Sequence, residues 1–383
     1  MKQRGVRSRI ETLSRWTAVG ALCAFSVAAG ATEYTIAVVQ SKTGPAAFIG
    51  EGAANAMVLA ADEINKKQEL GPGNTLNVIV ADDATDKNQT LQLINRFGAD
   101  PKVLIILGPT SGAVAIGASA AANDLKIPMI TNAPSFEVLK AGPWGFIMAQ
   151  PATNVIPYIA EYTATKLKAK NCTIIGISDV ETYVGMNKAF ESEAKSRGVK
   201  IGAIESIKGS DSDFSAVATK VAGGSQDCVF VSASAPQSAN IIIQLKQAGL
   251  DPKTNIVGHV SLSSPQFLQR GGSAVEGVVF ISDWAPGGSN DMGRAFNAAY
   301  KAKYGTDPDN WAAVGYGGMR VVAAAIKAAQ PNVTRETLRA ALTKTKDIPV
   351  VVGQGKFSYD EQRITHTGMN VLVVKNGQFV MAP

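Results

Sequence analysis

Two histidines in 383 residues leave little room for metal or acid–base chemistry. His259 and His366 stand far apart, and no cysteine, aspartate or glutamate joins either at metal-ligand spacing. There is no G-x-S-x-G nucleophile elbow. Gly112-Ala113-Val114-Ala115-Ile116-Gly117 lacks the Lys-Ser/Thr of a phosphate loop, and no G-x-G-x-x-G opens a helix after a strand. Paired acids such as Asp82-Asp83 read as solvated or capping loop residues. Charged residues are only 18% and form no basic patch interleaved with aromatics, which argues against a nucleic-acid partner. No apolar run of 18 residues follows the first 31, so a soluble mature chain is expected. These absences point away from an enzyme, a metal and a cofactor.

What is present begins with the first 31 residues. Lys2, Arg4, Arg7, Arg9 and Arg15 against Glu11 give a net +4, so the overall +6 leaves about +2 for the remainder. An apolar run, 16–29, follows, and Ala29-Gly30-Ala31 puts small residues where a signal peptidase reads. The run is short of the ~20 residues of a membrane anchor, and Gly20-Ala21-Leu22-Cys23 is a poor lipoprotein context. A signal peptide at 1–31, cleaved after Ala31, and a periplasmic location are expected. Cys172 and Cys228 then remain, each at the start of a predicted strand. In an oxidising compartment they form either one disulfide or two buried thiols.

Beyond residue 33, strands and helices alternate. Strands are predicted at 34–40, 76–81, 103–107 and 128–131, with helices at 52–67, 88–98 and 113–125 between them. The unbroken apolar run 103–107 suits a parallel strand covered on both faces. The unit restarts with helix 154–167, strand 173–178, helix 183–197, strand 200–207, helix 214–222, strand 228–233, helix 238–248 and strands 255–259 and 275–281. Long helices at 291–304 and 311–329 follow, then a hairpin in 355–379 turning at Lys375-Asn376-Gly377. This is an α/β chain of two doubly wound parallel-sheet lobes joined by a three-segment hinge, with crossings near 150–152, 281–284 and 351–355. The first lobe is drawn as 32–150 plus 283–352 and the second as 151–282 plus 353–383. The cleft between them is the expected ligand site.

Three loops carry the candidate chemistry: Ser41-Lys42-Thr43-Gly44-Pro45, Gly108-Pro109-Thr110-Ser111-Gly112 and Thr131-Asn132-Ala133-Pro134-Ser135. Each ends a strand and opens a helix, which offers unpaired N–H groups and hydroxyls to an anion such as a carboxylate. Each helix terminus is worth about 0.3–1 kcal/mol. Plain capping by Ser111 and Ser135 is the alternative. Aromatic residues make up 7%, and Phe48, Phe136, Trp144, Tyr183, Trp284 and Trp311 fall in loops or at element ends.

Taken together, Thr43-Gly44-Pro45 with Gly50, Asp82-Asp83-Ala84, Leu107-Gly108-Pro109-Thr110-Ser111, Ile127-Pro128-Met129-Ile130-Thr131, Asp179 through Tyr183, Asp213-Phe214 and Glu276-Gly277 resemble the branched-chain amino-acid (Leu/Ile/Val) binding proteins of ABC transporters. The resemblance covers residues 33–380 and implies the type I periplasmic binding protein fold. It implies carboxylate donors at Ser111, Gly112, Ala133 and Ser135, a covering aromatic at Tyr183, a further one at Trp311, and a first-loop contact at Ile49 beside Phe48. Four positions depart from it. Val260 stands where the family's acid meets the ligand ammonium, and Ser234 replaces an assisting Tyr; the family's first-lobe disulfide is lost to Thr85 and Ser111. Asp179, Glu181 and Asp283 are the remaining carboxylates considered for the ammonium. The expected ligand is therefore a carboxylate without an α-amino group (an aromatic, branched aliphatic or oxo acid) in a pocket of Phe48, Tyr183, Val260 and Trp311, with His259 available to a distal group. An ABC permease is the expected partner and a monomer the expected state. Branched-chain amino-acid uptake and a ligand sensor of the same fold are the alternatives.

Overall fold

The computed structural model describes residues 31–133, 135–288 and 290–383. The segment expected to be a signal peptide, 1–31, lies outside the described residues apart from its last residue. In the first unit β1 (Glu33–Gln40), β2 (Thr75–Asp82), β3 (Val103–Leu107), β4 (Met129–Thr131) and β5 (Gly145–Ile147) are linked by α1 (Ala47–Lys66), α2 (Lys87–Ala99), α3 (Gly112–Asp124) and α4 (Phe136–Lys140). The strands form one parallel sheet in the order β2-β1-β3-β4-β5. Strand order reverses between β1 and β3, the switch point where ligands bind in open α/β sheets.

The second unit repeats the plan. It contains α5 (Ala152–Thr165), β6 (Asn171–Ile177), α6 (Glu181–Ser196), β7 (Lys200–Ile207), α7 (Ser215–Ala222), β8 (Cys228–Ser232), α8 (Ala235–Gln247), β9 (Asn255–Gly258), a 3₁₀ turn Val260–Ser263, α9 (Pro265–Gly271), a further 3₁₀ turn Gly272–Val275 and β10 (Val279–Ser282). The chain then returns to the first unit through α10 (Asp291–Tyr304), α11 (Asn310–Ala329), α12 (Arg335–Thr343) and β11 (Ile348–Pro349), continues as β12 (Lys356–Tyr359) and β13 (Thr365–His366), and ends as the hairpin β14 (Asn370–Lys375) and β15 (Gln378–Met381). The second sheet runs β15-β14-β10-β9-β8-β6-β7, antiparallel only at β14 and β15. Asn376 and Gly377 both take positive φ (53° and 69°), as the two-residue turn requires.

Alternate strand residues feed opposite faces, which is why these strands read as continuous apolar runs. Ile36 and Val38 join the core under α1 and α11, whereas Ala37 and Val39 join the core under α2 and α3. In the second unit Ile175 and Ile177 face α7 and α8, and Cys172 and Ile174 face α5 and α6. Gly315 lets α11 approach α1 closely, because a Cβ there would meet the backbone of Ala53. Gly108, at φ +133°, ends β3 where a Cβ would collide with the Val39 carbonyl. No helix among the described residues is long and apolar enough to cross a membrane.

One open alternative is resolved here and one expectation changes. Cys172 and Cys228 are direct register partners on β6 and β8, with Cα atoms 4.4 Å apart, and form a disulfide. The stretch 353–366, drawn with the second lobe, packs on the first. Phe357 and Tyr359 belong to the first unit's core, Thr365 Oγ1 donates to the Ile147 carbonyl, and Arg363 donates to the Leu139, Gly142 and Gly145 carbonyls. The last crossing therefore falls just before β14. The pattern was hidden because β11 and β13 are two residues each, too short to show a period.

Candidate functional site

A buried polar network fixes the three first-unit loops. Gln40, at the end of β1, accepts from Thr110 Oγ1 (2.6 Å) and Asn132 Nδ2 (3.4 Å), and its Nε2 donates to the Leu107 carbonyl. Thr110 Oγ1 in turn accepts from the Ser41 N–H, and Ser41 Oγ donates to Asp83 at 2.6 Å. Thr131 Oγ1 donates to the Pro109 carbonyl and accepts from the Ala133 N–H (3.0 Å). Buried polar groups that are fully paired hold a single geometry.

Ser111, Gly112, Ala133 and Ser135 come together on this frame; a Cβ on Gly112 would lie 4.0 Å from that of Ala133. Ser111 and Ser135 occupy the cap positions of α3 and α4, yet neither side chain caps its helix. Neither hydroxyl is hydrogen-bonded to a described residue. The Ala133 and Ser135 N–H groups are engaged, since they bond Thr131 Oγ1 and the Ala133 carbonyl. The second loop thus offers a hydroxyl where the sequence suggested amides as well.

A cavity of about 530 Å³, within the range of small-molecule pockets, opens between the two units. The first unit contributes Phe48, Ile49, Asp309, Asn310 and Trp311; the second contributes Tyr183, Ser234, Val260 and the wall continuing through α9. Phe48 is 57% exposed, an unusual position for a large apolar side chain unless a ligand or a closing lobe covers it. Ser111, Gly112, Ala133 and Ser135 lie outside the cavity's immediate wall.

Tyr183 is largely buried. Desolvation raises its hydroxyl pKa, while a hydrogen bond with Ser261 works the other way. His259, fully buried, is not in the cavity wall; its ring stands 5.6 Å from that of Tyr183, behind it. Its Nδ1 accepts from the Ser261 N–H, starting the 3₁₀ turn that aims Val260 at the cavity. The expectation that His259 contacts a distal ligand group is therefore corrected. Ser234 lines the cavity at the start of α8, with its hydroxyl donated to Gln237.

The acids considered for an ammonium do not line the cavity. Asp179 is exposed and accepts from the Gly209 N–H; Glu181 is exposed. Asp283 sits where the crossings meet. The Gly353 N–H and Asn370 Nδ2 both donate to its backbone carbonyl, and the Gln150 and Asn310 amides face its carboxyl. Among the described residues the cavity's one carboxylate is Asp309, which sequence reasoning missed as a lining residue. It caps α11, accepting from the Ala312 N–H at 2.8 Å, and burial raises its pKa. Among the described residues no group of three or more His, Cys, Asp or Glu could hold a metal ion.

Burial pushes Asp283 up to about 6 and His259 down to about 4. Their effects on stability oppose one another. The folded chain binds the Asp283 proton more readily than the unfolded chain, so stability is lost as pH rises from about 4 through 6. The unfolded chain binds the His259 proton more readily, so stability is lost as pH falls from 6.5 toward 4. Each shift corresponds to roughly 3 kcal/mol. D283N is expected to be more stable than the parent by up to that amount at pH 7, with the advantage shrinking toward pH 4. Urea midpoints at pH 7, 5.5 and 4 check this; a constant difference would contradict it.

Residues 33–378 match the model of the periplasmic binding protein family. The Leu/Ile/Val-binding protein BraC3 of Rhizobium johnstonii is 27% identical over 341 residues, covering 86% of this chain and 88% of that one. A putative branched-chain amino acid ABC transporter structure from Rhodospirillum rubrum superposes with a TM-score of 0.81 at 25% identity, covering 92% of this chain and 100% of that one. LivJ of Streptococcus pneumoniae, solved in complex with isoleucine, gives 0.77 at 26% identity over 91% and 98%. With two doubly wound sheets, three crossings and a cavity between them, the chain belongs to the periplasmic binding protein family: it is a binding protein, not an enzyme.

Proposed function

We propose that this protein is the periplasmic receptor of an ABC importer, and that it holds a small carboxylate ligand (an aromatic, branched aliphatic or oxo acid in preference to an α-amino acid) between lobes 32–150 with 283–366 and 151–282 with 367–383. Residues 1–31 serve as its cleaved signal peptide. It acts as a monomer that presents the closed, loaded form to a membrane permease. The Ser111 and Ser135 hydroxyls and the Gly112 N–H hold the carboxylate, with Ala133 shaping the loop between them, Tyr183 and Trp311 cover the ligand, and Phe48, Ser234 and Val260 line its apolar body.

The observation that carries the ligand preference is the cavity wall at Val260. An apolar side chain occupies it, and Asp179 and Glu181 are exposed elsewhere while Asp283 is buried at the crossings. Asp309 is engaged as a helix cap, its charge compensated by the N-terminus of α11. A buried ammonium without a carboxylate partner is costly by several kcal/mol. The names of BraC3 and LivJ favour a second reading, branched-chain amino acids. A thermal-shift panel decides between them. Aromatic or oxo acids at 100-fold their Kd are expected to stabilise the folded chain by about 2.7 kcal/mol, with leucine, isoleucine and valine giving no shift. The reverse pattern would establish the second reading.

A further inference from the structure

Most polar side chains that line the cavity are already engaged within the protein. Ser263 Oγ donates to the Val260 carbonyl (2.6 Å), Ser264 Oγ accepts from the Gln266 N–H (3.3 Å), and the Ser261 hydroxyl meets Tyr183. Ser234 is bonded to Gln237, and Asp309 caps α11. Asn310, a lining carboxamide too, has its Oδ1 held by the Ser282 hydroxyl and the Trp284 N–H and its Nδ2 buried, whereas two exposed carboxamides are wholly unengaged. Gln266 and Gln269 lie three residues apart on α9, hence on one helix face. Both line the cavity and are exposed, and neither side chain is hydrogen-bonded to any described residue.

We infer that Gln266 and Gln269 form the specificity site for a neutral hydrogen-bonding group at the end of the ligand remote from its carboxylate. The ligand class is thereby narrowed to hydroxyl- or carbonyl-bearing acids; this rests on the carboxylate reading above. A carboxamide presents an N–H donor and a C=O acceptor side by side, matching a hydroxyl that both donates and accepts. Among the described residues no lysine, arginine or histidine lines the cavity, so a second carboxylate would be desolvated there without a countercharge. A ligand lacking the polar group would leave both carboxamides unpaired once the lobes close over it.

The test is calorimetric titration of the full mature chain with three probes: 3-phenylpropanoate, 3-(4-hydroxyphenyl)propanoate and 4-(2-carboxyethyl)benzoate. The parent protein is expected to bind the hydroxy acid about tenfold tighter than the unsubstituted acid and the diacid weakest. In the double variant Q266L/Q269L the ratio of hydroxy acid to unsubstituted acid is expected to fall to near one. Both substitutions are on exposed positions, and the ligand-free thermal midpoint reports whether the variant folds. Equal binding of the first two acids by the parent, a tenfold ratio retained in the variant, or tight binding of the diacid would overturn the assignment while leaving the carboxylate reading standing. Binding of leucine with none of the three acids would remove both.

Discussion

Replacing Cys172 and Cys228 together by alanine is expected to lower stability by about 4 kcal/mol, the chain-entropy value for a loop of this length. The cross-link closes a separation of 56 residues that contains β6, α6, β7 and α7 before returning at β8. It therefore staples the two strands between which the second sheet reverses its order. Both sulfurs are fully buried, packed with Ile174, Phe190 and Phe230, so the alanines also leave small voids. The loss should appear as a lowered urea midpoint against the oxidised parent. The parent with the bond reduced should show a similar loss, since both then sample the open-chain unfolded ensemble. Thiol titration of the mature chain, denatured without reductant, supplies the decisive control. No free thiol is expected; two free thiols would remove the basis of the prediction. A persistent disulfide also requires an oxidising compartment, which ties this bond to the secretory reading of residues 1–31.

The fold was legible where elements are long and their patterns uniform. The run 103–107 became β3 with the predicted bounds, and helix 291–304 became α10, whose cap Asn290 accepts from the Gly293 N–H. Boundaries slipped where a polar loop masked a helix start. The 52–67 helix begins at Ala47, five residues early, because Ala46 offers no capping side chain to mark it. α12 escaped notice because its capping box uses Thr337 in place of the usual glutamate after Thr334. The site was legible in the same uneven way. Phe48, Tyr183 and Trp311, noted as loop or element-end aromatics, line one cavity with Ser234 and Val260, which only the family resemblance had singled out. Asp309 and the α9 wall did not stand out, because a seven-residue helix after a four-residue 3₁₀ turn shows no period. His259 looked like a ligand contact because it neighbours Val260. Successive residues at a strand end point opposite ways, and this one points into the core.

V260E is expected to exchange one ligand class for another. Val260 opens the 3₁₀ turn after β9, its side chain on the cavity wall, and no cationic side chain among the described residues lines that cavity. In the unliganded protein a glutamate there remains hydrated and alters stability little. In the loaded, closed form it faces the ligand directly. Two like charges about 5 Å apart at an effective dielectric of about 20 repel by about 3 kcal/mol, so carboxylates lacking an ammonium should bind roughly 100-fold more weakly. An α-amino acid keeps the carboxylate contacts proposed at Ser111 and Ser135 and gains the acceptor its ammonium lacked, so leucine should bind at least about tenfold tighter than to the parent. V260Q separates charge from size: it should weaken the simple acids far less and give leucine no comparable gain. Titrations of parent, V260E and V260Q with leucine and 3-phenylpropanoate read the exchange directly. Tight leucine binding by the parent, unchanged in V260E, would show that the ammonium is met elsewhere, with Asp309 the carboxylate to examine next.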